Sequence, residues 1–386
     1  MSTANTIPAL PPADWRQKFR RRLLAWYARQ ARDLPWRRRA DAYGVWVSEI
    51  MLQQTQVATV IDYYVRFMKR FPNVRALAAA AEQDVLRLWE GLGYYRRARQ
   101  LHRAAKEIVD VHGGNFPTRF EDVLALPGIG RYTAGAITSI AYDARQPVLE
   151  ANTIRCFARL RGYAGDTSTN DAQNLLSAFG AAVLPRKNVG QVNQALMELG
   201  AEVCTPKSPR CSACPVKGLC ATFASGSQDV IPASKKKTQY EAVEQAAVVI
   251  RNGHRILVRR CQPDERWAGL WDFPRFDIHS RTTHARHHEL KREVARLTGL
   301  EISPQRKLTT IKHGVTRYRI TLHCHEAELI SAVSESPADL QWVTPAELEN
   351  IPLNTSGRKI CQLLIADWQA NNLDTPDTAV RIQSDT

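Results

Sequence analysis

Four of the eight cysteines in this chain of 386 residues lie within one segment of seventeen residues. Cys204, Cys211, Cys214 and Cys220 follow the spacing C-x6-C-x2-C-x5-C. Thiolates at such short intervals can surround one metal centre, and both an iron–sulfur cluster and a zinc ion accept four of them. The spacing alone leaves both centres open. The other cysteines show no clustered spacing and are predicted to be structural: Cys156, Cys261, Cys324 and Cys361.

Two glutamates have contrasting sequence contexts that suit acid–base chemistry. Glu49 lies among apolar residues of a predicted helix, where desolvation favours the protonated carboxyl. Glu150 precedes a predicted helix start at Asn152, where the helix dipole favours the carboxylate. Two such carboxyls can divide the acid and anion roles of glycoside cleavage. Without further evidence, two surface carboxylates are the simpler interpretation.

A glycine-rich turn at Leu126-Pro127-Gly128-Ile129-Gly130 separates two predicted helices. Its backbone N–H groups and the following helix N-terminus can hold a phosphate oxygen without recognising base sequence. A Gly-x-Gly turn is more often a simple connection. These five residues, however, match the helix-hairpin-helix motif of DNA repair enzymes.

The charge of the chain points to a polyanionic partner. Lys and Arg number 53 against 38 Asp and Glu, a formal net charge of +15. Ten basic residues and one acid, Asp33, lie between Arg16 and Arg39. Such a surplus favours nucleic acid as a partner, although a solvated basic surface explains it equally well.

The sequence predicts a cytosolic protein. No apolar run approaches the ~20 residues of a membrane-spanning helix, and Met1–Pro12 lacks the apolar core of a secretory signal. We expect association with the nucleoid if the source is bacterial. Thiols stay reduced in that compartment, so the clustered cysteines are predicted to bind metal rather than form disulfides.

Hydrophobic periodicity predicts an almost entirely helical region over the first ~220 residues. One long helical pattern extends from Tyr43 to Arg70 and ends before Pro72. Other helices are predicted near 15–30, 82–90, 94–112, 118–125, 131–142, 152–161, 169–183 and 189–201.

The composition changes to that of a linker at residues 225–240. Beyond it the hydrophobic period becomes two, and Asn252-Gly253 is a strong hairpin signal. Strands are predicted near 246–250, 255–259, 307–312, 317–326 and 340–343, helices near 283–297 and 355–368, and a disordered tail at 369–386.

Three further motifs extend these signals into a resemblance over residues 14–368. The motifs are Trp46-Val-Ser-Glu49-Ile-Met-Leu-Gln-Gln54, Trp89-Glu-Gly-Leu-Gly-Tyr94-Tyr95 and Asn193-Gln-Ala-Leu-Met-Glu198-Leu-Gly200. With the glycine turn and the cysteine spacing, they resemble the adenine DNA glycosylases of the MutY family, within the endonuclease III superfamily. That family removes adenine mispaired with 8-oxoguanine and leaves an abasic site.

The resemblance implies a multidomain fold. An all-α helix-hairpin-helix glycosylase domain at 13–224 would contain the hairpin at about 118–142 and the iron–sulfur loop at 204–220. A linker at 225–240 and an α+β Nudix-like domain at 241–368 would follow. The implied partner is double-stranded DNA with 8-oxoguanine:adenine or guanine:adenine mispairs, and we expect a monomer.

The resemblance also implies roles for individual residues. Glu49 would donate a proton to the adenine and help to activate water, Glu150 would stabilise the sugar cation, and Tyr132 and Asn152 would lie beside the sugar. Arg32, Trp36 and Glu198 would contact the extruded adenine, and Gln54 and Tyr94 would enter the duplex. Gly128 and Gly130 would bind phosphate. A [4Fe–4S] cluster would be ligated by Cys204, Cys211, Cys214 and Cys220.

The sequence departs from the family pattern beside the sugar. Glu150-Ala151-Asn152 replaces the family's Asp-Gly-Asn, so the carboxylate is one methylene longer. We expect Glu150 to reach the sugar from a slightly rearranged turn; the competing expectation is reduced or altered activity. Tyr132 occupies the position of the lysine that forms a Schiff base in bifunctional relatives, and this favours a monofunctional glycosylase.

The C-terminal region departs from the Nudix pattern as well. Arg266-Trp-Ala-Gly-Leu-Trp271-Asp-Phe-Pro274 resembles the opening of the family's Nudix-like domain. The helix that would bind Mg²⁺ ends in Arg296-Leu297 instead of two glutamates, so we expect binding rather than hydrolysis. The family's Phe-Ser-His loop corresponds to Val315-Thr316-Arg317, in which Thr316 keeps a hydroxyl for contact with 8-oxoguanine.

Three other functions compete with this interpretation. A glycosylase/lyase of the endonuclease III type is disfavoured by Tyr132, and a Nudix pyrophosphohydrolase is disfavoured by Arg296-Leu297. A catalytically inactive lesion-binding protein is the remaining alternative, because of Glu150. It predicts tight binding to the mispaired duplex without release of the base.

Overall fold

The computed structural model describes residues 10–39, 41–233, 239–280, 282–332 and 339–373. Their packing divides the chain into two compact units. The first unit comprises the described residues of Met1–Ala80 and Arg99–Lys237, and the second those of Ala81–Ala98 and Thr238–Thr386. No helix in the described part combines the length and apolar character needed to cross a membrane.

Some predictions fall on residues outside this description. Residues 234–238 of the predicted linker and residues 374–386 of the predicted disordered tail are among them. The domain boundaries inferred from the sequence likewise remain predictions.

Helices build the N-terminal part of the chain, because apolar residues recur there at three- and four-residue spacing. In chain order they are α1 (Ala13–Gln30), α2 (Ala42–Leu52), α3 (Val57–Arg70), α4 (Val74–Ala78), α5 (Glu82–Trp89), α6 (Arg96–His112), α7 (Phe120–Ala125), α8 (Arg131–Tyr142), α9 (Ala151–Arg161), α10 (Asn170–Val183), α11 (Val189–Glu202) and α12 (Ala221–Ala224). Helix α5 belongs to the second unit.

One apolar cluster joins several helices of the first unit. Phe19 of α1, Phe157 of α9 and Phe179 of α10 are buried in it together with side chains of α11. Cys204 and Cys220 pack against the same cluster. The core that holds α9 and α11 together therefore also supports the cysteine loop.

The single helix predicted from Tyr43 to Arg70 is wrong. Two helices, α2 and α3, are separated by a turn in which Gln54 has a left-handed backbone with φ of 57°. The N–H of Thr55 donates to the carbonyl of Leu52 at 3.3 Å and closes this turn. No glycine or proline marks the break, and the apolar spacing continues across it, so periodicity did not reveal it.

The other helices predicted for the first ~220 residues agree with the structure to within two residues. Helix α6 begins at Arg96 rather than Tyr94, because Tyr94 has a left-handed backbone with φ of 49°. The short helix α4 was not predicted.

The second unit contains a seven-stranded sheet with β3, β2, β1, β6 and β5 in spatial order. Strand β4 pairs with β1, and β7 pairs with β2. Strands β1 and β6 are parallel, and the other pairs are antiparallel. The bounds are β1 (Glu241–Asn252), β2 (Arg255–Arg260), β3 (Trp271–Asp272), β4 (Arg275–Asp277), β5 (Leu300–Val315), β6 (Tyr318–Ala332) and β7 (Leu340–Val343).

Helices α13 (Thr283–Thr298), α14 (Pro345–Leu348) and α15 (Thr355–Leu373) accompany the sheet. Val248 of β1 packs with Leu290 of α13, whereas Val249 packs with Ile360 of α15. Since both faces of β1 are covered, its central residues are all buried. The predicted α+β architecture is confirmed, as is the hairpin at Gly253, where φ is 59°.

Candidate active site

A cavity of about 210 Å³ in the first unit brings the predicted catalytic and base-contacting residues together. They come from α2, α8, α9, α11 and the segment after α1, which are far apart in sequence. Seven predicted residues line the cavity: Arg32, Trp36, Glu49, Tyr132, Glu150, Asn152 and Glu198.

Glu49 is a buried carboxyl group on α2. The hydroxyl of Tyr132, on α8, donates a hydrogen bond to its Oε2. Burial raises the pKa of Glu49 to about 7, although the bond from Tyr132 acts in the opposite direction. The predicted desolvation of Glu49 is confirmed, and near neutral pH this carboxyl can hold or release a proton.

Glu150 is the N-cap residue of α9. Its Oε2 accepts the N–H of Asn152 at 2.8 Å, and its Oε1 accepts the N–H of Thr153 at 2.9 Å. These amides favour the anion, as predicted, but burial outweighs them and raises the pKa of Glu150. The predicted preference of the helix terminus for the carboxylate is present, and desolvation acts against it with the larger effect.

Glu198 of α11 is completely buried and accepts hydrogen bonds from two arginines. Nε and Nη2 of Arg32 each lie 2.8 Å from its carboxylate oxygens, and Nη2 of Arg37 lies at 2.7 Å. Burial raises the pKa of Glu198, but the arginine hydrogen bonds prevail and lower it to about 2. Because the buried Glu198 carboxylate is bound by two arginines in defined geometry, this contact fixes the geometry of the cavity wall.

Trp36 forms an apolar part of the cavity wall. It lies in the 3₁₀ turn Pro35–Arg37 and packs edge-to-face on Tyr64, with ring centroids 5.5 Å apart. The aromatic contact holds the indole in place on one side, and Leu34 and Val45 add further apolar surface to the cavity wall.

Sequence reasoning missed two arginines that support the site. Arg37 lines the cavity and also donates to the carbonyl of Arg32 at 3.0 Å. Arg155 donates from Nη2 to Oδ1 of Asn152 at 2.8 Å and from Nε to the carbonyl of Cys204 at 2.7 Å. In a chain this rich in arginine, the only sequence signal was the i,i+3 spacing of Asn152 and Arg155 on one helix face.

The glycine turn connects α7 to α8, as the hairpin motif predicts. Gly128 has φ of 76°, and a Cβ there would lie 2.6 Å from Cβ of Gln100. Gly130 is the N-cap residue of α8 and has no side chain to occupy the first N–H groups of that helix. The turn thus presents backbone amides at a helix N-terminus, the arrangement that binds phosphate.

Three predicted DNA-contacting residues lie outside the cavity and share one feature. Gln54, Tyr94 and Thr316 are all exposed and have left-handed backbones, with φ of 57°, 49° and 53°. Thr316 is at the tip of the hairpin between β5 and β6, where Val315 pairs with Tyr318. Non-glycine residues in this conformation are strained and are frequent at functional sites.

The four clustered cysteines are free thiols and are partly buried. Burial, with smaller contributions from the nearby Cys204 and Cys220, raises the pKa of the Cys214 thiol to about 12. Arg159 donates from Nη1 to Sγ of Cys204 at 3.4 Å. In the described residues, no group of three or more His, Cys, Asp or Glu side chains forms a ready-made site for a metal ion. The donor set nevertheless suits a thiolate-held centre, because four free, partly buried thiols come from one loop of seventeen residues.

Three family models match separate parts of the chain. Residues 47–180 match the HhH-GPD superfamily base excision DNA repair proteins, residues 204–220 the iron-sulfur binding domain of endonuclease III, and residues 245–363 the NUDIX domain. The loop at 204–220 therefore binds a [4Fe–4S] cluster, which decides between the two metal centres. When bound, the cluster supplies metal–thiolate bonds that link the four cysteines.

The chain is also similar to curated adenine DNA glycosylases over most of its length. The protein from Mus musculus is 35% identical, with 89% of this chain and 77% of that protein covered. The protein from Homo sapiens is 43% identical over 67% of this chain and 48% of that protein. Among solved structures, a thermostable thymine-DNA glycosylase superposes with a TM-score of 0.51 at 25% identity, covering 55% of this chain and 98% of that one.

Proposed function

Because this chain belongs to the adenine DNA glycosylase family, we propose that it removes adenine paired with 8-oxoguanine or guanine in double-stranded DNA. The observation that carries the proposal is the cavity lined by Glu49, with its pKa near 7, and by the helix-capping Glu150. Release of adenine breaks a glycosidic bond, and a proton donor paired with an anion meets that chemical need.

The proposed reaction begins with protonated Glu49. Its proton goes to a ring nitrogen of adenine while the C1′–N9 bond breaks, and the bonding electron pair leaves with the base. The carboxylate of Glu150 stabilises the sugar cation that remains. Water then adds to C1′ and gives a proton to the Glu49 carboxylate, which restores the starting acid. Tyr132 orients Glu49 through its hydroxyl hydrogen bond.

The adenine must leave the base stack before this chemistry, and we assign its pocket to Arg32, Trp36 and Glu198. Trp36 supplies an apolar wall. Glu198, held anionic by its two arginines, fixes the guanidinium of Arg32 at the cavity. Asn152 stands beside the sugar, at the first turn of the helix that Glu150 caps.

The remaining predicted contacts concern the duplex. We assign phosphate binding to the backbone at Gly128 and Gly130, and entry into the duplex beside the mispair to Gln54 and Tyr94. The hydroxyl of Thr316 is our candidate for contact with 8-oxoguanine. The enzyme is proposed to act as a monomer.

Single-turnover release of adenine tests the proposal. Duplexes that carry adenine opposite 8-oxoguanine or guanine should lose the base faster than one with adenine opposite thymine. Glu49→Gln should slow release by about 10²–10⁴-fold, the usual contribution of a general acid. Asp62→Asn, which neutralises an exposed carboxylate on α3, is the matched control and should leave the rate unchanged.

Two other outcomes would favour the competing functions. Strand nicking without added base would indicate a lyase, which Tyr132 cannot support through a Schiff base. Tight binding to the 8-oxoguanine:adenine duplex with no release of base would indicate a catalytically inactive lesion-binding protein.

A further inference from the structure

The turn that follows α5 presents Tyr94 at its exposed tip. Tyr94 is 47% exposed and has a left-handed backbone, as do Gly91 and Gly93 on its N-terminal side. The indole Nε1 of Trp89 donates to the carbonyl of Gly93 at 3.2 Å. A left-handed backbone is conformationally costly for a tyrosine, so contacts elsewhere must hold the turn in this form.

Both sides of the turn bond to one residue of the C-terminal region. The Oε2 atom of Glu90, before the turn, accepts the N–H of Leu353 at 3.3 Å. The hydroxyl of Tyr95, after the turn, lies 3.4 Å from the carbonyl of Leu353, to which it donates. Leu353 is fully buried, and both bonds reach its backbone.

A charged pair strengthens this attachment. Arg358 of α15 donates to the Glu90 carboxylate from Nε at 2.5 Å and from Nη2 at 3.0 Å. Arg358 also donates to the carbonyls of Leu348 at 3.0 Å and Ile351 at 2.7 Å, so its guanidinium is held in place independently of Glu90. The Glu90 side chain is only 9% exposed, and a bidentate pair at that depth is geometrically specific.

Residues near both ends of helix α5 also contact the C-terminal region. Gln83 donates from Nε2 to the carbonyl of Gly269 at 3.0 Å and accepts the indole N–H of Trp271 at 3.2 Å. Arg87 donates to the carbonyl of Glu349 at 2.7 Å. Residues 81–98 consequently form one compact unit with the C-terminal region, although the base-excision family model spans them with residues 47–180.

We propose that Glu90 and Arg358 are positioning residues that hold the Tyr94 turn in the conformation required for entry into DNA. The C-terminal region would thereby contribute to adenine release through a turn that the sequence assigns to the glycosylase domain. The inference rests on the proposed function, because it assigns to Tyr94 the role of entering the duplex.

Hydrogen exchange tests the positioning directly and requires no activity. Glu90→Gln should raise the exchange rates of the amides from Gly91 to Tyr95 in the full-length holoenzyme by about tenfold or more, since the turn opens locally when its attachment weakens. The matched control is Glu326→Gln. Glu326 is 12% exposed, lies in the same unit and accepts two arginines, Arg251 at 2.5 Å and Arg306 at 2.9 Å.

The control separates positioning from general destabilisation. Glu326→Gln should lower the thermal stability of the C-terminal region without changing exchange in the turn. Equal exchange in the turn of both variants and of the wild-type protein would overturn the proposal. Faster exchange of amides throughout the protein in both variants would overturn it as well, because the increase would then reflect general destabilisation.

A double-mutant cycle with Tyr94→Ala tests whether the pair acts through the tyrosine. Glu90→Gln should slow single-turnover adenine release by about tenfold or more, as expected when a contact is misplaced. In the Tyr94→Ala background the same substitution should have no additional effect, whereas independent effects would multiply. Multiplicative losses would refute the coupling. If the wild-type protein releases no adenine, the proposed function fails, while the exchange experiment still decides whether Glu90 holds the turn.

Discussion

At the scale of single residues, the two carboxyl groups of the cavity differ in the hydrogen bonds that counteract the effect of burial on their pKa. Glu49 has one phenolic donor, from Tyr132, and its pKa rises to about 7. Glu150 has two backbone amide donors, and its pKa also rises because desolvation is the larger effect. Glu49 is the more deeply buried of the two and has the fewer hydrogen-bond donors, which suits the proposed proton donor, whereas two amide donors suit the proposed anion at Glu150.

The pH dependence of kcat/KM follows from these two groups. Glu49 donates a proton only in its protonated form, so the rate should fall as the pH rises through about 7. Glu150 stabilises the cation only in its ionised form, so the rate should fall again as the pH drops through its raised pKa. Single-turnover assays at subsaturating enzyme over a range of pH should give a bell-shaped profile.

Glu150→Gln provides the control for the acidic limb of that profile. The variant should be slow at every pH and should lose the decline at low pH, because its amide does not titrate. A Gln variant as fast as the wild-type protein would exclude a role for Glu150. A profile that stays flat as the pH passes through 7 would exclude the proposed role of Glu49.

At the scale of elements, the site depends on the close approach of α9 to α11. Helix α9 carries Asn152 and is capped by Glu150, whereas α11 carries Glu198. The helices meet at Gly200, where an added Cβ would lie 2.6 Å from Cβ of Asn152 and 3.1 Å from its carbonyl oxygen. Arg155 bridges the same contact by donating to the carbonyl of Gly200 at 2.9 Å.

Gly200→Ala should therefore separate the two helices. We expect a loss of about 1–3 kcal/mol in the free energy of unfolding, the usual cost of an overpacked core. Adenine release should slow more than duplex binding weakens, because Asn152 is displaced while the hairpin at Gly128 is not. Urea denaturation, single-turnover rates and duplex affinity together measure these effects.

The matched control at this scale is Ala28→Ser on α1. It also enlarges a small helix residue by one heavy atom, but at an exposed position. This variant should retain the stability and rate of the wild-type protein. If Gly200→Ala behaved in the same way, the close approach of α9 and α11 would not be what places Asn152.

At the scale of the whole molecule, the C-terminal region has a Nudix fold whose helix carboxylates are already engaged. Glu293 of α13 pairs with Arg292 at 3.0 Å and with Arg296 at 2.8 Å. Glu289 accepts the N–H groups of His279 and Ser280. Carboxylates held by arginines and backbone amides are poor ligands for Mg²⁺, which requires oxygen ligands in octahedral geometry.

We therefore expect no Mg²⁺-dependent hydrolysis of nucleoside triphosphates by the intact protein. Release of pyrophosphate or phosphate should stay at the background level under conditions in which an active Nudix hydrolase gives turnover. Glu293→Gln should leave adenine release unchanged. Mg²⁺-dependent turnover that Glu293→Gln abolishes would instead reveal a second active site.

Local sequence signals predicted much of this organisation. Three- and four-residue apolar spacing predicted the helices, alternation and Asn252-Gly253 predicted the C-terminal strands, and the spacing of Cys204 to Cys220 predicted a metal loop. These features depend on interactions between residues close in sequence, so that composition and periodicity encode them. The short strands β3 and β4 were not predicted, because a segment of two or three residues is too short to show a hydrophobic period.

The tertiary structure alone determined the chemistry of the cavity. It alone also showed that α5 packs in the same compact unit as the C-terminal region. Arg32 and Glu198 are 166 positions apart, and nothing local indicates that their contact lowers the pKa of the carboxyl to about 2. The sequence by itself determined that Glu150 stands at a helix N-terminus, but only packing determined that burial would outweigh the terminus. Desolvation and long-range contacts depend on which surfaces meet when the chain folds, and the pattern of neighbouring residues does not contain that information.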